Sequence, residues 1–393
     1  LAPGGGSTKI RGVLWNLLRL GVTLGAIGYV VTQITWKDRL IVEGEAIPGR
    51  LQSERGEAVF VTDAGRPIPL PPDADKPDAA VRFVPGILSI FGRLKVGYLL
   101  LALACYPASI FLGAMRWQWL LASHNLDPGF REAVRLTWMG YLSNNVLPGA
   151  TGGDFVKAVS IARRTPGRRT SAVMTVLLDR IIGMVALMLV GAVAVLLRSF
   201  WAGFDEAGAL VLGLLAACLI LGMMFFSRRV RQILRVDGIL ARIPFGSAIR
   251  KIDASLFHYR DHKWQLARCV LLSLVIWGWT LATIRLLGQS LSMGVATVDY
   301  FIYLPIAFTA GAFFPSINGL GVLEGLFQHF FTQAGAAASS AVALCLLYRL
   351  MFLIASLPGA VPLYAEISAS GVGTVAPLSE EEEEAVETVK AVV

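Results

Sequence analysis

The sequence predicts an all-α polytopic membrane protein: six transmembrane helices plus two re-entrant helical hairpins in inverted repeats, with a small exterior β-hairpin insert. Three observations predict it. Of the 393 residues, 55% are hydrophobic and only 16% charged, against roughly 25% charged in soluble domains. Six apolar runs reach the roughly 20 residues a helix needs to cross a bilayer: 12–34, 95–120, 171–197, 207–227, 264–288 and 337–364. Two further apolar stretches, 131–163 and 297–333, are each broken in the middle by Pro and Gly, and charged residues recur around both breaks at matching intervals.

Residues 1–11 are expected to be disordered. Lys9 and Arg11 precede the run at 12–34, which is too long for a signal-peptide core and has no small-residue cleavage site after it. A retained anchor helix is expected there. Residues 35–94 form the insert. Leu40 to Glu45 and Glu57 to Gly65 have the composition of short strands separated by turns. The segment Arg66-Pro-Ile-Pro-Leu-Pro-Pro-Asp-Ala-Asp-Lys-Pro77 has that of an extended linker.

Basic loops set the orientation. Arg116, Arg131, Arg135, Lys157, Arg163, Arg164, Arg168 and Arg169 place 116–170 in the cytoplasm, and the Arg-rich loop 228–263 lies there too. By contrast, 286–348 contains no Lys or Arg and is placed outside. Six crossings then leave both termini cytoplasmic, and the expected location is the bacterial cytoplasmic (inner) membrane. The net charge of +8 is accounted for by such loops, so no nucleic-acid partner is expected. Residues 95–197 form one membrane repeat and 264–366 the other, of the same element order and opposite topology, which is the plan of many secondary transporters. Between them, 198–263 is a connecting helix and a basic cytoplasmic loop, whose interleaved Val230, Ile233, Leu234 and Val236 suit surface helices at an anionic leaflet. The acidic tail 367–393, with Glu380 to Glu384, is expected to be disordered.

The charges inside the repeats carry the chemistry. Arg116 precedes Asp154 by 38 residues and Arg285 precedes Glu324 by 39; Arg180 and Arg349 follow those acids by 26 and 25. Ionisable side chains in a bilayer are costly, and a repeated set of them marks a site. In the first break, Asn144 and Asn145 lead through Pro148 to Gly152 and Gly153, where a restarting helix offers amide N–H groups to a phosphate. The second, with Pro315, Asn318, Gly319 and Gly321, is built alike. Asp154 either caps the second arm or pairs with Arg180; Glu324 lies one turn into the following arm and pairs with Arg349. Arg180 lies roughly 13–15 Å into its span at 1.5 Å per residue. Arg116 and Arg285, nearer the ends of theirs, are placed to snorkel. Asp179 points about 100° away from Arg180 on the same helix and needs a different partner.

No hydrolase elbow, Walker loop or zincin motif is present. The four cysteines and four histidines are scattered; His258 and His262 share a face but have no third ligand nearby. No metal and no cofactor is expected.

The run Tyr141-Leu-Ser-Asn-Asn-Val-Leu-Pro-Gly-Ala-Thr-Gly-Gly-Asp154, followed by Asp179-Arg180, resembles the lysylphosphatidylglycerol synthetase transmembrane-region family, also called flippase-like integral membrane proteins. Phe314-Pro-Ser-Ile-Asn-Gly-Leu-Gly-Val-Leu-Glu324, Tyr348-Arg349 and Leu357-Pro358-Gly359 are similar to its later motifs. The resemblance covers roughly 95–365 and implies a membrane domain that translocates lipids. The soluble domain that makes the aminoacylated lipid has no counterpart here, so lysyl transfer is not implied. Asp179 stands where the family more often has Glu, and the insert 36–92 departs from the common pattern.

These residues lead to one expectation and two alternatives. The expected function is a non-enzymatic flippase or transporter, carrying a phospho- or polyprenyl-lipid headgroup through a polar cavity between the repeats. Its binding set is Arg180, Arg349, Asp154, Glu324, Asn144, Asn145, Gly152, Gly153, Asn318, Gly319, Gly321, Arg116 and Arg285. The alternatives are a membrane-embedded transferase acting on a lipid phosphate and a binding subunit of a larger complex. Membrane lipids are the expected partners; a protein partner at 36–92 and a homo-oligomer stay open.

Overall fold

The computed structural model describes residues 37–42, 45–54, 57–71, 81–126, 128–146, 152–165, 167–203, 205–226, 263–313 and 319–369, with the isolated positions Gly28 and Thr32. Apart from those two positions the anchor run 12–34 lies outside them, as do most of the basic loop 228–263 with His258 and His262, the acidic tail beyond 369, Pro148, Pro315 and Asn318. The chain divides into two compact units, residues 1–104 with 281–351 and residues 105–280 with 352–393.

The first unit opens with five strands, β1 (Asp38–Val42), β2 (Glu45–Glu54), β3 (Glu57–Thr62), β4 (Pro67–Pro69) and β5 (Val81–Val84). They form one antiparallel sheet in the order β4-β3-β2-β1-β5. Period-2 alternation puts Leu40, Phe60 and Phe83 on one buried cluster, where Phe60 and Phe83 meet edge to face at 6.2 Å. The expected β-hairpin is thus a complete sheet, and the expected linker supplies β4. Two prolines hide that strand from a propensity reading, and lacking N–H donors they confine it to the sheet edge. β5 is invisible for a different reason: it pairs with β1, Leu40 opposite Phe83, across a separation no local pattern spans. Buried Asp38 accepts the Gly86 N–H at 2.7 Å and the Leu51 N–H at 3.3 Å, tying β1 to its neighbour β2 and to the chain just after β5.

A short helix, α1 (Ile87–Gly92), follows the sheet. Its Ile87 and Ile90 pack on Val342 and Ala343 of a long helix, Ala338–Ser356, and Ser339 donates its hydroxyl to the Pro85 carbonyl at 2.6 Å. The sheet is therefore seated on helices of its own unit.

The remaining helices run in order: α2 (Val96–Ser123), α3 (Phe130–Val146), α4 (Gly152–Arg164), α5 (Arg169–Ala202), α6 (Glu206–Phe226), α7 (Lys263–Ser290), α8 (Thr297–Phe313), α9 (Val322–Gln333), α10 (Ala338–Ser356) and, after a 3-10 turn at Leu357–Gly359, α11 (Ala360–Ala369). Within the second unit Trp117, Leu136, Met139, Ala158, Ile161 and Val176 make one core of α2 to α5.

Four helical stretches among the described residues are long and apolar enough to cross a membrane: Val96–Ser123, Ser171–Ala202, Trp264–Ser290 and Ala338–Glu366. They match four of the six expected spans, and a fifth, 207–227, coincides with α6. Their outer faces leave Leu100, Leu101, Val193, Leu196, Leu271 and Val275 exposed, an apolar surface that suits lipid rather than water. Pro107 inside α2 is tolerated as in other membrane helices, and Pro305 lies inside α8. The protein is a multi-pass membrane protein.

Candidate functional site

In the second unit, α3 and α4 are the arms on either side of the first break. They touch backbone to backbone: a Cβ at Gly153 would collide with the carbonyl oxygen of Gly140. Asn144, near the end of α3, accepts the Gly153 N–H at 2.8 Å, and Asn145 donates to Ser356 at 3.1 Å. Asn144 thus satisfies one of the amide donors at the start of α4 that the sequence offered to a phosphate.

Asp154 sits in the first turn of α4. Arg180 of α5 reaches its Oδ2 with Nε at 2.7 Å and Nη2 at 2.6 Å. Asp179 turns the other way and holds two cations: Arg116 Nε at 2.8 Å and Lys157 Nζ at 3.6 Å. Arg116 also donates from Nη1 to the Ser273 hydroxyl at 2.8 Å. The Lys157 ammonium lies 3.8 Å from the centroid of the Trp117 ring, a favourable cation–π geometry. Five charged side chains from three helices, α2, α4 and α5, therefore form one cluster, with Ser273 of α7 beside it.

This differs from the sequence reading in two ways. Arg116, 9% exposed, does not snorkel; its partner Asp179 and the Ser273 hydroxyl hold it inside. Lys157, 5% exposed, was counted as a loop charge. It is an inward residue, and its signal was its place three residues after Asp154, on the same face of a helix. Arg131, Arg163, Arg164 and Arg168 are exposed, as loop charges should be.

In the first unit, Glu324 lies in the first turn of α9 and is 5% exposed. Its Oε1 takes Arg349 Nε at 2.5 Å and its Oε2 takes Nη2 at 3.3 Å, a two-point carboxylate–guanidinium pair. Oε2 also accepts the Gly321 N–H at 2.7 Å. Gly321 stands at φ +80°, a conformation glycine adopts without strain, which lets the chain turn into α9. Glu324 is therefore cap and counter-ion at once. Gly319 precedes it at φ +68°. Arg285 is separate: its Nε donates to Thr297 at 3.2 Å and its guanidinium lies 5.5 Å from the Tyr300 ring centroid.

The acid–arginine pair of each repeat is thus the same, and what surrounds it is not. Where the first repeat has Lys157 and Asp179, the second has Phe327 and Tyr348 at the corresponding positions. These two rings stack at 6.5 Å, with Phe308 at 5.1 Å from Tyr348.

Comparison with known proteins gives the family. The UPF0104 membrane protein PH1989 of Pyrococcus horikoshii is 26% identical over 301 residues, which is 70% of this chain and 88% of that protein. The family model described as the lysylphosphatidylglycerol synthase TM region matches residues 84–359, a stretch that takes in both ion-pair centres and begins at the last residue of β5. The chain belongs to that family.

Proposed function

We propose that the protein moves a lipid with a phosphate-bearing headgroup from one leaflet to the other, its acyl chains remaining in the bilayer. The observation that supports this is the recurrence of one device: in both repeats an acid in the first turn after a helix break grips an arginine of a membrane-length helix. A phosphate can take a carboxylate's place on a guanidinium, because either anion presents two oxygens to the paired N–H donors of the planar guanidinium fork. Exchange of one for the other keeps the arginine compensated throughout, so Arg180 and Arg349 are the residues assigned to the phosphate. Asp154 and Glu324 hold those arginines between passages. We place the broken segments as re-entrant hairpins in the cytoplasmic membrane, with the sheet outside and both termini inside.

The test is a leaflet-exposure assay in proteoliposomes, comparing wild type with Arg180→Ala and Glu324→Ala. Each variant is expected to slow lipid exchange at least about tenfold, the loss of one charge-assisted contact; equal exchange by all three would remove these roles. The family's description names a synthase, which keeps a transferase reading in view. Labelled phospholipid or polyprenyl phosphate incubated with an aminoacyl or sugar donor would yield a new lipid under that reading and none under ours.

A further inference from the structure

The last helix of the second unit, α11, is fixed firmly at its start. It follows the turn at Leu357–Gly359, where a Cβ on Gly359 would collide with the carbonyl oxygen of Trp138 in α3. The Trp138 indole N–H donates to the Ala355 carbonyl at 2.8 Å just before that turn. Further along, Leu363 packs against the core of α2 to α5, whereas Val361 and Tyr364 are 76% and 75% exposed.

The far end of α11 is held by charge. Glu366 takes Arg164, the last residue of α4, at 2.5 Å and Arg135 of α3 at 3.6 Å. Both arginines also pair with Glu132, in the first turn of α3, Arg135 doing so at 3.5 Å. Two acids and two arginines thus alternate in a closed ring. It joins the start of α3 and the end of α4 to α11, at the opposite end of α4 from Asp154. The four side chains are 22–37% exposed. Water reaches them all, so the ring can open without stranding a charge in an apolar interior, and salt weakens it. A helix fixed at one end and held at the other by a reversible contact has the makings of a moving part.

We propose that α11 is a strap that swings about the Leu357–Gly359 turn, and that the ring of Glu132, Arg135, Glu366 and Arg164 is the latch that closes it over the open end of the α3–α4 pair. Release frees α4, whose first turn carries Asp154, so the strap governs passage at the Asp154–Arg180 centre. Control of passage rests on the proposed movement of lipid; the swing itself does not.

The experiment uses the full chain with its four native cysteines replaced by serine and with Ala162→Cys. Ala162 precedes Arg164 by two residues and is 8% exposed in the core against which Leu363 packs. The protein is placed in nanodiscs of phosphatidylcholine, whose headgroup has no net charge and does not compete for the arginines. Two rates are followed: reaction of the thiol with a small water-soluble methanethiosulfonate, and amide hydrogen exchange across 360–369. Glu366→Arg leaves three cations around one acid and is expected to raise both rates at least about fivefold. Molar salt is expected to raise both in the otherwise unaltered chain. Inverting all four charges, with Glu132→Arg, Arg135→Glu, Arg164→Glu and Glu366→Arg together, restores the alternation and is expected to bring both rates back.

Unchanged rates in Glu366→Arg overturn the latch, and rates that stay high in the fourfold inversion overturn the ring as its cause. Should the inverted protein fail to fold, the salt series decides, and rates indifferent to salt overturn the proposal. In proteoliposomes Glu366→Arg is expected to speed lipid exchange at least about fivefold, as an opened strap would. Unaltered lipid exchange beside a faster thiol reaction removes the control of passage and upholds the strap. Absence of lipid exchange in wild type removes the proposed function, and the thiol rates then decide the strap by themselves.

Discussion

Asp179 and Arg180 are neighbours in the chain and serve different partners, because successive residues of a helix point about 100° apart. Arg180 meets Asp154 and Asp179 meets Arg116 and Lys157. The sequence shows that Asp179 needs a partner of its own but not which, since Arg116 lies 63 residues away on another helix. Removing one member of a buried pair leaves the other uncompensated. Arg116→Ala is therefore expected to destabilise the protein by about 3–5 kcal/mol, read as a lowered midpoint of thermal unfolding in detergent. An unchanged midpoint would show that Lys157 alone suffices for Asp179. The acid–arginine pairs were legible from repeated spacing; the inward turn of Lys157 was not, because a lysine among arginines has the composition of a cytoplasmic loop.

At the scale of elements, each of the two stretches carries a helix on either side of its Pro/Gly segment, α3 and α4 in one and α8 and α9 in the other. Their close packing depends on residues without side chains. Gly153→Ala would push a methyl group into the Gly140 carbonyl, so the arms must part. It is expected to cost about 1–3 kcal/mol, the range for overpacking, and to speed amide hydrogen exchange across α3 and α4. Exchange at the wild-type rate would show that the arms already separate in solution. The insert shows the opposite balance of local and distant signals. Two strands carried alternation and were legible; β4 was masked by its prolines, and β5 is recognisable only by the partner it finds.

For the molecule as a whole, the distribution of Lys and Arg makes a topological claim that a labelling experiment decides. In a protein whose native cysteines Cys105, Cys218, Cys269 and Cys345 are replaced by serine, a cysteine at exposed Gly294 is expected to react with an impermeant maleimide in intact cells. One at exposed Arg163 is expected to react only after permeabilisation. The reverse pattern, or reaction of both from outside, would overturn the proposed orientation. The claim survives the reassignment of Arg116 and Lys157 as interior residues, since Arg131, Arg163, Arg164 and Arg168 still mark that face.

The amino-acid sequence by itself determined that this is a multi-pass membrane protein, where four of its membrane-length helices fall, and that acids and arginines recur at matching intervals. These are properties of local composition and periodicity, which a bilayer enforces strongly because unpaired backbone and stray charge are both costly within it. Only tertiary structure decided which charges meet, that Asp179 has two cations where Tyr348 has aromatic neighbours, and that the insert closes into a five-stranded sheet. Those outcomes depend on helix rotation and on pairing between distant segments, and no local pattern encodes either.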